Sequence, residues 1–243
     1  KKIIDNFEEY LEKKQKTLGF TLSSEQQKAV ELINSGEKTL FLIGYAGTGK
    51  STSSRAILEL LEEIVSYDDI IAIALSGIAS QRISDTTGYN ASTIQSLLVK
   101  HKEKDFFPYK VILLDEASMV NSVTFAQIIS KISDDTIFII VGDDGQLPAI
   151  GAGNILADSI KYELAPICKL TKIYRQNENQ AIAVIANDIR KGELPNYKEE
   201  YEDFKFVDVS IGNYYSMKNS LSQNEFSDMR GENSDYILNN ILN

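Results

Sequence analysis

The 243-residue chain is 43% hydrophobic and 25% charged, an ordinary balance for a globular protein long enough to bury a full core, and one compact domain plus an appendage is expected. Its formal charge of −10 argues against a surface that grips nucleic acid all over; nine acidic against four basic residues from Asn196 onward carry half of that excess, which leaves room elsewhere for a narrow, locally neutral groove. A single cysteine, Cys168, excludes a disulfide framework, and no apolar run approaches the ~20 residues needed to span a bilayer or the core of a signal peptide, so a reducing, cytoplasmic setting is expected, with no membrane partner.

Residues 1–18 read as a charged helix with Ile4, Phe7, Tyr10 and Leu11 on one face, packing either on the core or on a preceding domain. A second helix is expected over Ser24 to Ser35, capped by Ser23 or Ser24 and stopped by Gly36. The apolar run Thr39 to Ile43 is of strand length and runs into Gly44-Tyr45-Ala46-Gly47-Thr48-Gly49-Lys50-Ser51, after which a helix is expected from Gly49 to Val65. Glycines at these positions let successive backbone amides turn toward phosphate oxygens, and the helix start adds a favourable dipole. Lys50 would reach the terminal phosphates, and Ser51 would offer a hydroxyl to magnesium. Gly44, Ala46, Gly47, Thr48, Gly49, Lys50, Ser51 and Thr52 are therefore the candidate nucleotide cradle.

Further strands are expected at Ile70 to Leu75, Val111 to Leu114 and Ile137 to Val141, with a weaker one at Cys168 to Thr171. Helices are expected between them at Ile78 to Asp85, Ser118 to Ile132 and Asn154 to Tyr162, and a last one at Asn179 to Lys191. Short buried runs alternating with amphipathic segments predict an α/β P-loop fold, a central parallel sheet with helices on both faces. The strand at Val111 to Leu114 ends in Asp115-Glu116; one carboxylate can hold magnesium while the next orients the attacking water. After the strand at Ile137 to Val141, Gln146 can sense a γ-phosphate as a neutral donor and acceptor.

The chain between Val99 and Pro108 carries Lys100, Lys102, Lys104, Phe106 and Phe107, and reads either as a small basic and aromatic protrusion or as a solvated loop. His101, the sole histidine, lacks partners for a metal role. Beyond Pro195, residues 204–209 read as an edge strand, 210–234 as irregular, and 235–242 as a final helix.

In order, these motifs resemble helicase superfamily 1, in the branch that contains RecD, TraA-type relaxase helicases and phage Dda, over about Leu22 to Pro195. The resemblance implies a RecA-like ATPase domain that uses ATP and Mg2+. Leu22-Ser23-Ser24-Glu25-Gln26 resembles the Q motif, so Gln26 would read adenine; Asp115 to Ser118 resembles the Walker B box. Gly142 to Asn154 resembles the motif that couples the γ-phosphate to DNA, and Tyr174-Arg175-Gln176 the motif with an aromatic near the base and an arginine on the γ-phosphate. Implied catalytic residues are Lys50, Asp115, Glu116, Gln146 and Arg175, with Ser51 and Asp115 on the metal and Tyr174 on the nucleotide. A guanidinium in cis also suits the charge that develops in phosphoryl transfer.

The segments that resemble DNA-facing motifs depart from the family pattern. In Ala74 to Ser80, Ser76 and Gly77 are kept but Ile78 replaces a basic residue; in Ala91 to Leu98, Thr93 is kept but Gln95 replaces a histidine. Ser76, Gly77, Thr93, Gln95 and Asn154 are the candidate contacts to single-stranded DNA. The expected organisation is a helical extension at 1–20, a RecA-like motor domain at 21–195, and an acidic segment at 196–243 leading toward a second RecA-like domain. The resemblance implies 5′ to 3′ polarity, a role in DNA repair or recombination, and compatibility with nuclease or repair partners; the chain by itself is expected to bind nucleotide, hydrolyse it slowly and not translocate. A nucleotide-binding regulatory or assembly subunit is the alternative.

Overall fold

The computed structural model describes residues 1–19, 21–146 and 149–172, together with the isolated positions 185, 188, 189, 192 and 193. The chain forms two compact units, Lys1–Tyr174 and Arg175–Asn243, and the first holds every element described below. The elements expected after residue 173, and with them Tyr174 and Arg175, lie outside the described residues.

Six strands, β1 (Thr39–Gly44), β2 (Ile70–Ala74), β3 (Ala91–Thr93), β4 (Val111–Leu114), β5 (Ile137–Gly142) and β6 (Ile167–Leu170), make one sheet in the order β3-β2-β4-β5-β1-β6. Every neighbouring pair is parallel. Parallel strands need crossovers that cover both faces of the sheet, which is why β1, β2, β4 and β5 read as unbroken apolar runs rather than alternating ones. Alternation persists as a choice of core. Leu40, Leu42, Ile70, Ala72, Val111, Leu113, Ile139 and Val141 point to one face. Their neighbours Phe41, Ile43, Ile71, Ile73, Ile112, Leu114, Phe138 and Ile140 point to the other.

The first face is covered by α1 (Phe7–Leu18), α2 (Ser24–Asn34), α3 (Lys50–Leu61) and α4 (Gly77–Thr87) through residues such as Leu11, Ile33, Leu58 and Ile83. The second is covered by α5 (Ile94–Lys100), α6 (Ser122–Ile129) and α7 (Ile155–Lys161) through Leu97, Ile128 and Leu156. Of the two placements expected for the N-terminal helix, packing on the core is observed. It begins at Phe7 because Ile3 and Ile4 spend their backbone on Asn34: the Asn34 carbonyl accepts from the Ile3 amide at 2.9 Å, and its side-chain amide bonds both backbone groups of Ile4.

Three features differ from the expected elements. The helix expected over Ser118 to Ile132 is a 3-10 turn at Ala117–Met119 and then α6, because the Asn121 side chain accepts from the Thr124 amide at 2.9 Å and starts a new helix. Both β3 and α5 were not expected, being short. The lysine-rich stretch after α5 is a turn whose residues 102–106 are exposed, as in a solvated loop, but whose two ends are anchored in the fold. His101 and Phe107 are each 5% exposed, and their rings meet edge to face at 6.0 Å. The Lys131 ammonium binds the carbonyls of His101, Lys102 and Lys104. Burial, and then Lys104, Lys100 and Lys131, push the His101 pKa below its ordinary value. No group of three or more metal-ligating side chains occurs among the described residues, and none of the described helices is long and apolar enough to cross a membrane.

Candidate functional site

The carboxyl ends of β1, β5 and β4 are neighbours in the sheet, so the loops that follow them share one edge. Each loop carries one of the three chemical signatures expected there: the glycine-rich turn, Gln146 and Asp115-Glu116. The crevice at the carboxyl ends of parallel strands, where the chain order reverses, is where α/β sheets take ligands.

The glycine-rich turn is built from strong local constraints. Gly47 and Gly49 adopt positive φ of 83° and 85°, which side-chain-bearing residues disfavour, and Gly49 opens α3. At Gly44 the limit is contact: a Cβ would lie 3.0 Å from both Leu170 Cβ and Leu170 O, and closer still to the Thr48 hydroxyl. Thr48 is fully buried and donates to the Tyr45 carbonyl at 2.8 Å, and Ser53 donates to the Gly49 carbonyl at 3.0 Å. The Lys50 ammonium binds the carbonyls of Gly44 and, at 2.9 Å, Tyr45. Ser51 is exposed and Thr52 half-buried at the start of α3, while Ala46 is exposed at the tip of the turn.

The helix α2 ties this turn to the exit of β6, the strand beside β1. Ser23 and Gln26 form a reciprocal cap, in which the Gln26 amide donates to Ser23 Oγ at 3.2 Å and the Ser23 amide to Gln26 Oε1 at 2.9 Å. The Gln26 Nε2 then reaches the Gly49 carbonyl at 3.4 Å, and Gln26 is only 3% exposed. Each end of its amide has one of these partners, which leaves a further N–H and a further oxygen lone pair in its hydrogen-bonding capacity. Beside it, the Glu25 carboxylate accepts from the Thr171 amide at 2.7 Å, the Thr171 hydroxyl and the Lys172 amide. Burial works against its charge, but these bonds and the Lys172 charge hold the Glu25 pKa below the ordinary carboxylate value.

Asp115 is 6% exposed at the end of β4, and its amide donates to the Ile73 carbonyl at 2.9 Å. Burial pushes its carboxyl above the ordinary value; the Glu116 amide and the Arg82 charge oppose this, the Glu116 charge adds to it, and Lys50 opposes it. Glu116 leaves the strand with φ 54° and ψ 39°, a left-handed conformation rare for a non-glycine residue. Its Oε1 lies 2.6 Å from Arg82 Nη2 on α4. Ser118, in the same 3-10 turn, donates to Gln146 Oε1 at 3.1 Å, which joins the acidic strand end to the loop after β5. That loop is itself folded: Asp143 Oδ1 accepts from the Gly145 amide at 3.0 Å, and the Ala152 carbonyl accepts from both the amide and the hydroxyl of Ser122.

The structure therefore brings Lys50, Asp115, Glu116 and Gln146 to neighbouring strand ends, with Ser51 and Thr52 on the helix that follows. The candidates for DNA contact follow the carboxyl ends of other strands of the sheet: Ser76 and Gly77 come after β2, Thr93 ends the neighbouring β3 opposite Ala74, and Asn154 comes after β5. Ser76, Thr93 and Asn154 each serve as a helix cap, accepting from the amides of Ala79 at 3.1 Å, Ser96 at 3.1 Å and Ala157 at 3.3 Å. Gly77 and Gln95 are exposed. Sequence reasoning missed Arg82 altogether: it sits 34 residues from Glu116, on the polar face of an amphipathic helix, with no local pattern to mark it.

A glycine-rich turn between β1 and α3, beside an acidic strand end on an all-parallel sheet of this order, defines a P-loop NTPase of the RecA-like kind. The chain belongs to the AAA domain family, whose model matches residues 21–210, and its curated relatives include RecD and TraA proteins. It is 30% identical over 185 residues to the ATP-dependent RecD2 DNA helicase of Deinococcus radiodurans, covering 74% of this chain and 25% of that protein. It is 31% identical over 186 residues to the TraA protein assigned to conjugal transfer in Sinorhizobium fredii, covering 74% of this chain and 16% of that one. Among solved structures, the Pif1 helicase of Candida albicans superposes with a TM-score of 0.55 at 23% identity, over 73% of this chain and 45% of that one, a likeness of fold. The chain thus spans about a quarter of the RecD2 relative's length.

Proposed function

We propose that this chain is the first of two RecA-like motor domains of a DNA helicase, binding ATP with magnesium at the ends of β1, β5 and β4 and hydrolysing it as single-stranded DNA is engaged. The observation that carries this reading is that Lys50, Gln146 and the Asp115-Glu116 pair share one sheet edge, linked by the Ser118 to Gln146 hydrogen bond. Lys50 would trade its loop carbonyls for the β- and γ-phosphate oxygens. The metal donors fit: a carboxylate on Asp115 and a hydroxyl on Ser51 are hard oxygens, and so few protein ligands suit an ion whose remaining positions are filled by phosphate and water. Magnesium when bound neutralises charge building on the phosphates. Glu116 would orient the attacking water, Gln146 would sense the γ-phosphate, and Arg175 and Tyr174 would contact phosphate and base. Gln26 would read adenine with the remaining hydrogen-bonding capacity of its amide.

Polarity of 5′ to 3′ and a place in repair or recombination follow from the helicase branch and remain part of the proposal, as do the boundaries at residues 20 and 195 and a nuclease or repair partner. A second reading, a nucleotide-binding regulatory or assembly subunit, is favoured by one observation: of the five residues proposed to face DNA, three use their side chains as helix caps. The experiment is the ATPase rate of the full-length protein with and without single-stranded oligo-dT. Stimulation that disappears in Lys50→Ala supports the motor; turnover indifferent to DNA supports the regulatory subunit.

A further inference from the structure

One contact at the site comes from a residue outside the segments that resemble the family motifs. Arg82 Nη2 lies 2.6 Å from Glu116 Oε1 and 3.8 Å from Asp115 Oδ2, so a single guanidinium spans both carboxylates at the end of β4. The Arg82 side chain is 59% exposed, against 23% for Glu116 and 9% for Asp115; the cation is open to solvent while the acids are sheltered. It projects from α4, the helix that Ser76 and Gly77 open. A carboxylate oxygen that accepts a charge-assisted hydrogen bond is a poorer proton acceptor and is turned away from water.

We propose that Arg82 is a positioning residue that holds Glu116 in a resting pose, and that the phosphates of a DNA strand lying along α4 draw the guanidinium off and release the carboxylate for hydrolysis. This rests on the motor reading above. The clamp is of the right strength to be reversible. Exposed ion pairs shift an equilibrium by no more than about fivefold. A guanidinium donates to phosphate oxygens as it does to carboxylate oxygens, so a strand of phosphates competes for the same N–H groups. The contact would couple a DNA-facing helix to the reacting water through one side chain, with no movement of the sheet.

The test is kcat at saturating ATP for the full-length protein, without DNA and with oligo-dT. Arg82→Gln is expected to raise the DNA-free kcat by up to about fivefold, leave KM for ATP unchanged, and bring the ratio of the two rates toward one. Arg82→Lys, which keeps the charge but replaces the planar guanidinium with a compact ammonium on a different stem, is expected to fall between. Added salt, which screens exposed pairs, should raise the DNA-free kcat of the unmodified protein and not that of Arg82→Gln. A folded Arg82→Gln protein whose DNA-free kcat equals or falls below the unmodified rate overturns the clamp, because the arginine would then be assisting Glu116. If oligo-dT fails to stimulate the unmodified protein, the DNA reading and the proposed releasing ligand fail together, while the DNA-free comparison still decides whether Arg82 restrains Glu116.

Discussion

Replacing Glu25 by alanine tests whether the start of α2 fastens the exit of β6. The carboxylate accepts from the Thr171 amide at 2.7 Å, from the Thr171 hydroxyl and, weakly, from the Lys172 amide at 3.4 Å. Hydrogen bonds to a charged acceptor contribute about 1.5–3 kcal/mol when buried. This carboxylate is only half-buried and one of its bonds is long, so two effective bonds at about half that strength give a loss of about 1.5–3 kcal/mol. For a chain of this size that is roughly 3–12 °C in Tm. The pH dependence has a definite sign. Because folding lowers the Glu25 pKa from the ordinary 4.5, its contribution is complete above that value and is lost as pH falls through the folded pKa. Thermal melts of Glu25→Ala and the unmodified protein at pH 7 and in acid should therefore differ at neutrality and converge in acid. Equal Tm at pH 7, or a gap that widens in acid, refutes the assignment.

Three further outcomes follow from the same geometry. Glu116→Gln should retain ATP binding, measured by equilibrium titration, and lose at least about a hundredfold in hydrolysis, the lower range for a general base; lost binding in a folded protein would show the residue's role to be misassigned. Burial pushes the Cys168 thiol up to about 11, with the Glu25 charge adding to it, so labelling by a thiol reagent at pH 8 should be slow when native and fast when denatured. Rapid native labelling would mean that β6 opens readily. Lys131→Met removes the cation that binds three carbonyls of the turn after α5; amide exchange there should quicken and stability fall by about 1–2 kcal/mol, whereas unchanged exchange would show that the His101 and Phe107 packing and the Phe107 amide bond to the Lys131 carbonyl hold the turn without it.

How much could be read in advance depended on how local each cause was. The strands were legible because a sheet covered on both faces demands continuous apolar runs, and the start of α2 because Ser23 and Gln26 lie three residues apart. The glycine-rich turn was legible for the same reason: Gly44 to Ser51 carries its constraints within eight residues. The break before α6 had a signal in Asn121, which a long apolar stretch on either side obscured. Thr93 was noticed, but as a DNA contact; its position before a seven-residue helix also fits the cap it proves to be. Links across the fold left no trace in the sequence. Glu25 finds Thr171 at a separation of 146 residues, and Arg82 finds Glu116 only because β2 and β4 are neighbours.

The left-handed backbone at Glu116 has a geometric consequence for the acid pair. Consecutive side chains on an extended strand point to opposite faces, so a strand continuing past Asp115 would send the two carboxylates apart. By turning at φ 54°, at a cost of roughly 1–2 kcal/mol, the chain instead folds the second acid back beside the first, and one guanidinium touches both. Two negative charges that a regular strand would separate come within reach of one cation.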